Sequence, residues 1–189
     1  MKIGILISGR GSNMVAIVDA VAGGEIPDSE VAVVISDKPD AAGLAKAQER
    51  GVETVVILLN GRSREEHDAE IISELTKREV YLVCLAGYMR LLSQSFVRAF
   101  PHRIINIHPS LLPDFAGLNV HERVIASGAS RSGCTVHYVD EELDHGQVIL
   151  QKEVQVMPDD TPDTLAERIL EQEHELYVQA IRNLRQESS

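Results

Sequence analysis

Apolar positions in the first half of the chain fall into short runs of strand length, rich in Val and Ile: Ile3 to Ile7, Val31 to Ile35, Thr54 to Ile57, Val80 to Ala86 and Arg103 to His108. Runs that are apolar nearly throughout belong to strands buried on both faces, as in a parallel sheet covered by crossover helices. Ser12 to Ala22, Ala41 to Arg50 and Ser63 to Lys77 lie between them and read as those helices. From about Ser132 the pattern changes. Gly133 to Val139 and Gln147 to Val156 are extended runs joined by an acidic loop, Asp140 to Gly146, a spacing that suits antiparallel strands. Thr161-Pro162 then opens an amphipathic helix, Asp163 to Leu184, with Leu165, Ile169, Leu176, Ala180 and Leu184 on one face.

These elements predict an α/β fold for residues 1–189: a single-domain, Rossmann-like sheet with a parallel N-terminal half, antiparallel C-terminal strands and a closing C-terminal helix. A chain of 189 residues with 44% apolar and 25% charged content is ordinary for one soluble domain. Gly117 to Asn119 reads as a hinge before a helix His121 to Ala126, and the tail from Gln186 to Ser189 is expected to fray. There is no repeat, low-complexity tract or evident linker.

Charge and cysteines narrow the partners. A net charge of −11 argues against nucleic acid and anionic membrane surfaces, which call for a basic patch. Cys84 and Cys134 sit in apolar runs and read as buried small hydrophobes, not as a disulfide or a metal site. The apolar run at Met1 to Ser8 is too short for a signal peptide, and no apolar stretch is long enough to span a bilayer, so a reducing cytoplasm is expected.

The first strand ends in Gly9-Arg10-Gly11-Ser12-Asn13 and passes into a helix. Backbone N–H groups at such a helix start bind anions, and glycines let the backbone approach a phosphate closely. A helix cap with a tight turn would look the same. A dinucleotide fingerprint requires a third glycine where this chain has Met14, so NAD binding is not expected, although Asp37 stands where that motif carries its ribose-binding acid.

Alternation along Arg103 to His108 puts Asn106 and His108 on one face, and Pro109 and Pro113 stiffen the loop that follows. Alone, His108 reads more readily as a buried core histidine, and Asp144 as a turn residue. The seven histidines show no H-x-x-x-H spacing and the cysteines no pairing, so no metal site is expected. His67, His102, His121, His145 and His174 read as surface or cap residues.

Taken together, Asn106-x-His108-Pro109-Ser110-Leu111-Leu112-Pro113 and Val136-His137-Tyr138-Val139-Asp140-Glu141-Glu142-Leu143-Asp144-x-Gly146 resemble the folate-dependent formyltransferase family. Ser8 to Asn13 and Gln172-Glu173-His174 match it as well, so the likeness covers essentially the whole chain. The resemblance implies that a formyl group passes from the co-substrate 10-formyltetrahydrofolate to the amine of glycinamide ribonucleotide, in de novo purine biosynthesis, without a metal. In that chemistry an amine attacks the formyl carbon, negative charge gathers on oxygen and the folate nitrogen leaves with a proton. A protonated His108 serves as acid, Asn106 donates to the developing charge, and a carboxylate at Asp144 favours the imidazolium.

Further roles follow from the same resemblance. Gly11, Ser12 and Asn13 hold the substrate phosphate, and Glu173 accepts from the ribose hydroxyls. Arg64, Met89, Arg90, Leu91, Leu92 and Asn106 form the folate site. Residues 1–110 are thereby the nucleotide-phosphate half and residues 111–189 the folate and catalytic half. Arg10 stands where relatives commonly carry a smaller polar residue and adds a charge-assisted phosphate contact, whereas Leu170 replaces an expected polar side chain. Asp114, Ala116 and Tyr177-Val178 also depart from the family pattern and bear on substrate affinity. Thr135 and His137 either stand behind the catalytic imidazole or simply pack their strand.

Two other readings stay open. Water in place of the amine would make the protein a 10-formyltetrahydrofolate hydrolase, and loss of activity would leave a ligand-binding protein. A chain that starts at the first strand and ends after one helix is not expected to carry the extra domain of the hydrolase or of a tRNA-directed formyltransferase. The expected state is a monomer or homodimer.

Overall fold

The computed structural model describes residues 1–140 and 144–187. Its strands are β1 (Lys2–Ile7), β2 (Glu30–Ser36), β3 (Thr54–Val56), β4 (Leu82–Leu85), β5 (Ile104–His108), β6 (Arg131–Tyr138) and β7 (Val148–Gln155). They form one sheet in the order β3-β2-β1-β4-β5-β6-β7. Every pairing from β3 through β5 is parallel, and the β5–β6 and β6–β7 pairings are antiparallel, as the apolar pattern predicts. The acidic loop is described only at Asp140 and from Asp144 onward. Glu141, Glu142 and Leu143 lie outside the described residues, as do Ser188 and Ser189 of the tail.

The helices are α1 (Ser12–Ala22), α2 (Ala42–Glu49), α3 (Arg64–Lys77), α4 (Gln94–Ala99), α5 (Val120–Ser127) and α6 (Pro162–Glu187). None is long and apolar enough to cross a membrane. Two hydrophobic cores cover the sheet faces. One joins Ile3, Ile5, Ile7, Met14, Ile17, Ile169 and Tyr177, the other Leu6, Val83, Ile71, Leu75 and Phe96. Burial of these apolar side chains is the main stabilising term. Cys84 and Cys134 are both buried and free, and burial pushes both thiols up, Cys134 to about 12, so neither is a ready nucleophile.

Helix α6 closes the fold with Leu165, Ile169, Leu176 and Ala180 inward, as its period predicts. Fully buried Tyr177 adds a polar anchor: its hydroxyl lies 3.0 Å from the carbonyl oxygens of both Leu85 and Ile105, binding the helix to β4 and β5.

Two features differ from expectation. Helix α4 has no counterpart among the predicted helices because six residues are too few for a period to show. Its signal is the cap, in which Ser93 Oγ accepts from Phe96 N–H at 3.3 Å while Phe96 and Phe100 turn inward. His67, expected at the surface, is 1% exposed. The first turn of α3 faces the sheet there, and the ring is satisfied by Ile57 O, 2.8 Å from Nε2, with Asp68 Oδ1 3.6 Å from Nδ1. His102 and His145 are exposed, whereas His121 and His174 are half-buried.

Strand order turns at β1 and β4. Their chains leave in opposite directions across the sheet, β1 towards β2 and β4 towards β5, so their C-terminal ends open a crevice. There Ser8 N–H donates to Gly87 O at 3.2 Å.

Candidate active site

Gly11 takes a left-handed backbone with φ of 70° and caps α1, turning the amides of its first turn towards the crevice. A side chain there would meet Gly43 Cα at 2.8 Å, so only glycine fits. Gly43 N–H donates to Gly9 O at 3.0 Å, and Lys46 Nζ to Arg10 O at 2.9 Å, which hold the loop from outside. Asn13 Nδ2 donates to Glu173 Oε2 at 2.7 Å, joining the loop to α6. Asn13 Oδ1 is buried without a partner. Burial pushes the Glu173 carboxyl up, against the opposing pull of the Asn13 hydrogen bond.

These residues open on a cleft of 760 Å³ lined by the loop from Ser8 to Asn13 and, across it, by Leu170 and Glu173 of α6. Lys38 and His121 line it as well, and neither was assigned there on sequence grounds. His121 has one ring nitrogen, Nδ1, buried and unpartnered, and burial pushes its proton affinity down. Its only sequence signal is its place just after the bend made by Gly117 and Asn119, both left-handed, at the start of α5.

A second cleft of 170 Å³ lies on the other side of the segment that follows β4. Arg64, Arg90, Leu91, Leu92 and Asn106 line it together with Tyr88, His137 and Asp144. Met89, grouped with them by resemblance, instead lines the first cleft and is 69% exposed. Its N–H is held by Ser8 Oγ at 2.9 Å. Each cleft draws on both sides of residue 110, the first through Glu173 and the second through Arg64 and Arg90.

Asn106, His108 and Asp144 meet where the clefts adjoin. Asp144 Oδ2 lies 3.4 Å from His108 Nδ1 and accepts from Gly117 N–H at 3.0 Å. His108 Nε2 is 3.1 Å from Phe115 O, so both ring nitrogens face oxygen acceptors. Only the doubly protonated ring can donate to both. His108 is 6% exposed, which keeps that geometry dry.

His137 and Thr135 both have defined work. Burial pushes His137 down, so its ring is neutral. Its Nδ1 faces Tyr138 O at 2.8 Å and must carry the proton. The lone pair on Nε2 then accepts from Asn106 Nδ2 at 3.3 Å, while Asp144 Oδ1 lies 3.8 Å away. Thr135 Oγ1 donates to Ser110 O at 2.7 Å and accepts from Leu112 N–H at 3.1 Å and Gln151 Nε2 at 2.9 Å, bracing the proline loop. Among the described residues no three His, Cys, Asp or Glu side chains are grouped as a metal ion requires.

Over 177 residues the chain is 43% identical to phosphoribosylglycinamide formyltransferase of Haemophilus influenzae, covering 93% of this chain and 83% of that one. Over 182 residues it is 43% identical to the trifunctional purine biosynthetic protein adenosine-3 of Drosophila melanogaster, of which it spans only 14%. The crystal structure of glycinamide ribonucleotide transformylase 1 from Symbiobacterium toebii superimposes with a TM-score of 0.96 at 46% identity, covering 98% of this chain and 88% of the other. Residues 1–181 match the formyl transferase family model, and the chain belongs to that family.

Proposed function

We propose that residues 1–189 act as one domain that transfers a formyl group from 10-formyltetrahydrofolate to the amine of glycinamide ribonucleotide, a step of purine biosynthesis carried out in the cytoplasm. The observation that carries this reading is the meeting of Asn106, His108 and Asp144 at the boundary of two differently built clefts.

The first cleft suits the nucleotide. Amides of Gly11, Ser12 and Asn13 at the start of α1 face the phosphate, with Arg10 adding charge at the rim. The buried Glu173 carboxyl and the unpartnered Asn13 Oδ1 are acceptors for ribose hydroxyls. Leu170 offers only apolar surface, so the charge at Arg10 takes over its share of the grip on the phosphate. The second cleft suits a flat heterocycle. Leu85, Tyr88, Leu91, Leu92 and Val139 supply apolar walls, Asn106 and Asp144 read a polar edge, and Arg64 and Arg90 face a carboxylate tail. Met89, on the first cleft, closes the side shared by both ligands.

10-Formyltetrahydrofolate supplies the formyl group when bound. The amine of the nucleotide enters from the first cleft. Asn106 Nδ2, steadied by His137, donates its remaining N–H towards the formyl oxygen as charge gathers there, and protonated His108 turns its Nε2–H from the Phe115 carbonyl to the same charge. Asp144 balances the imidazolium and, through Gly117 N–H, fixes the loop carrying the Phe115 carbonyl that holds His108 from its other side. His108 is the nearest acid for the departing folate nitrogen.

Incubating the purified protein with 10-formyltetrahydrofolate, with and without glycinamide ribonucleotide, tests the reading. Turnover only with the nucleotide supports transfer. Turnover without it means hydrolysis, and binding of both ligands with no turnover means a binding protein.

A further inference from the structure

We infer that Asp37 is a positioning residue that sets the nucleotide cleft and the folate cleft in register with one another. It rests on the two-substrate reading above. Asp37 follows β2, is 5% exposed and lines neither cleft. Both carboxylate oxygens are already engaged: Oδ1 accepts from Ser8 Oγ at 2.6 Å, and Oδ2 from Arg90 Nε at 2.7 Å. Buried, tied on both oxygens and lining neither cleft, this carboxylate is not placed for the ribose-binding role that its sequence position suggests.

What the two bonds hold is the wall between the clefts. Ser8 opens the phosphate loop, and its Oγ, having given its proton to Asp37, accepts from Met89 N–H. Arg90 follows at once and is held by the other oxygen. In this segment Gly87 and Met89 line the first cleft, and Tyr88 and Arg90 line the second. One carboxylate therefore sets the backbone at Met89 through Ser8 and the side chain of Arg90 directly. Apolar burial anchors this segment at Tyr88 but leaves its neighbours to the polar ties, since Met89 is 69% and Leu91 51% exposed. A buried carboxylate that loses its cation is costly, so the tie to Arg90 is firmly held.

The two oxygens make the inference separable by substitution. Asp37→Ala removes both ties. Asp37→Asn keeps an oxygen for the Ser8 hydroxyl but sets an amide N–H₂ against Arg90 Nε–H, donor against donor. With wild type active on both substrates, Asp37→Ala is expected to raise KM for the folate co-substrate about tenfold and KM for the nucleotide about threefold, with kcat within about twofold. Asp37→Asn is expected to restore the nucleotide KM to within about twofold of wild type while the folate KM stays raised about tenfold. A general loss of folding would move kcat or active fraction and would not split the two KM values.

Equal elevation of both KM values in Asp37→Asn, a change in kcat alone, or KM values within about twofold of wild type in both variants would overturn the role. If Asp37→Ala fails to fold, the split in Asp37→Asn decides alone. A wild-type protein that turns over neither substrate overturns the enzymatic reading instead, and the two failures are told apart by the wild-type assay.

Discussion

Asn106 and His137 face each other across the β5–β6 ladder as directly paired residues, with the amide Nδ2 3.3 Å from the ring Nε2. Antiparallel pairing brings such partners into side-chain reach, so the register of two strands fixes which way the Asn106 amide points. Asn106→Ala is expected to lower kcat by about 10²–10³, the cost of losing one preorganised donor to a developing oxyanion, with a smaller rise in the folate KM and little change in the nucleotide KM. His137→Ala leaves the donor present but unsteadied, and a loss of about tenfold is expected. Steady-state kinetics on the two variants check the order, and an equal or larger loss in His137→Ala would contradict a positioning role.

Asp144 carries a backbone φ of 53°, which Asn tolerates. Asp144→Asn should therefore keep the fold and the tie to Gly117 N–H while removing the charge that faces His108. Turnover is expected to fall by about 10², within the range of a general acid, with an unchanged circular dichroism spectrum. Wild-type turnover in this variant would show that the charge is dispensable.

Glu173 is a buried carboxyl on α6. Burial raises its folded carboxyl above the unfolded value, so its contribution to stability is fully present below the unfolded carboxyl range and is lost as pH rises through the folded value. Glu173→Gln should consequently raise the melting temperature of the free protein at pH 7 to 8 and leave it nearly unchanged at pH 4. In a domain of this size each kcal/mol is worth about 2–4 °C. The same variant should bind the nucleotide about tenfold more weakly, having given up its charged acceptor. Thermal melts at the two pH values test the sign, and a melting temperature that drops at pH 7 would contradict it.

Gly11→Ala asks whether the phosphate loop needs its glycine. The left-handed conformation costs an alanine about 1–2 kcal/mol, and the new Cβ would sit 2.8 Å from Gly43 Cα. Chemical denaturation is expected to show a loss of about 2–3 kcal/mol, together with weakened nucleotide binding. Full stability with full affinity would mean that the loop has another accessible conformation.

Most of the fold can be read along the chain because its units are local. A run such as Ile3 to Ile7 declares a doubly buried strand, and Leu165, Ile169 and Leu176 declare the inward face of α6 without knowledge of what they pack against. Helix α4 escapes because one and a half turns carry no period, and His67 because a lone histidine does not announce which carbonyl will satisfy it.

The same division runs through the site. The glycines before α1, the shared face of Asn106 and His108, and the prolines that stiffen their loop follow from residue type and spacing alone, since backbone dihedrals and strand alternation act over a few bonds. Tertiary structure decided which groups meet: the β5–β6 register that sets His137 on Asn106, the turn that brings Asp144 to His108, and the packing of α6 that carries Glu173 to Asn13. It also gave Asp37 to Ser8 and Arg90, where a motif suggested a ribose. Hydrogen bonds and ion pairs act over about 3 Å between residues far apart in sequence, so their partners exist only once the sheet has placed them.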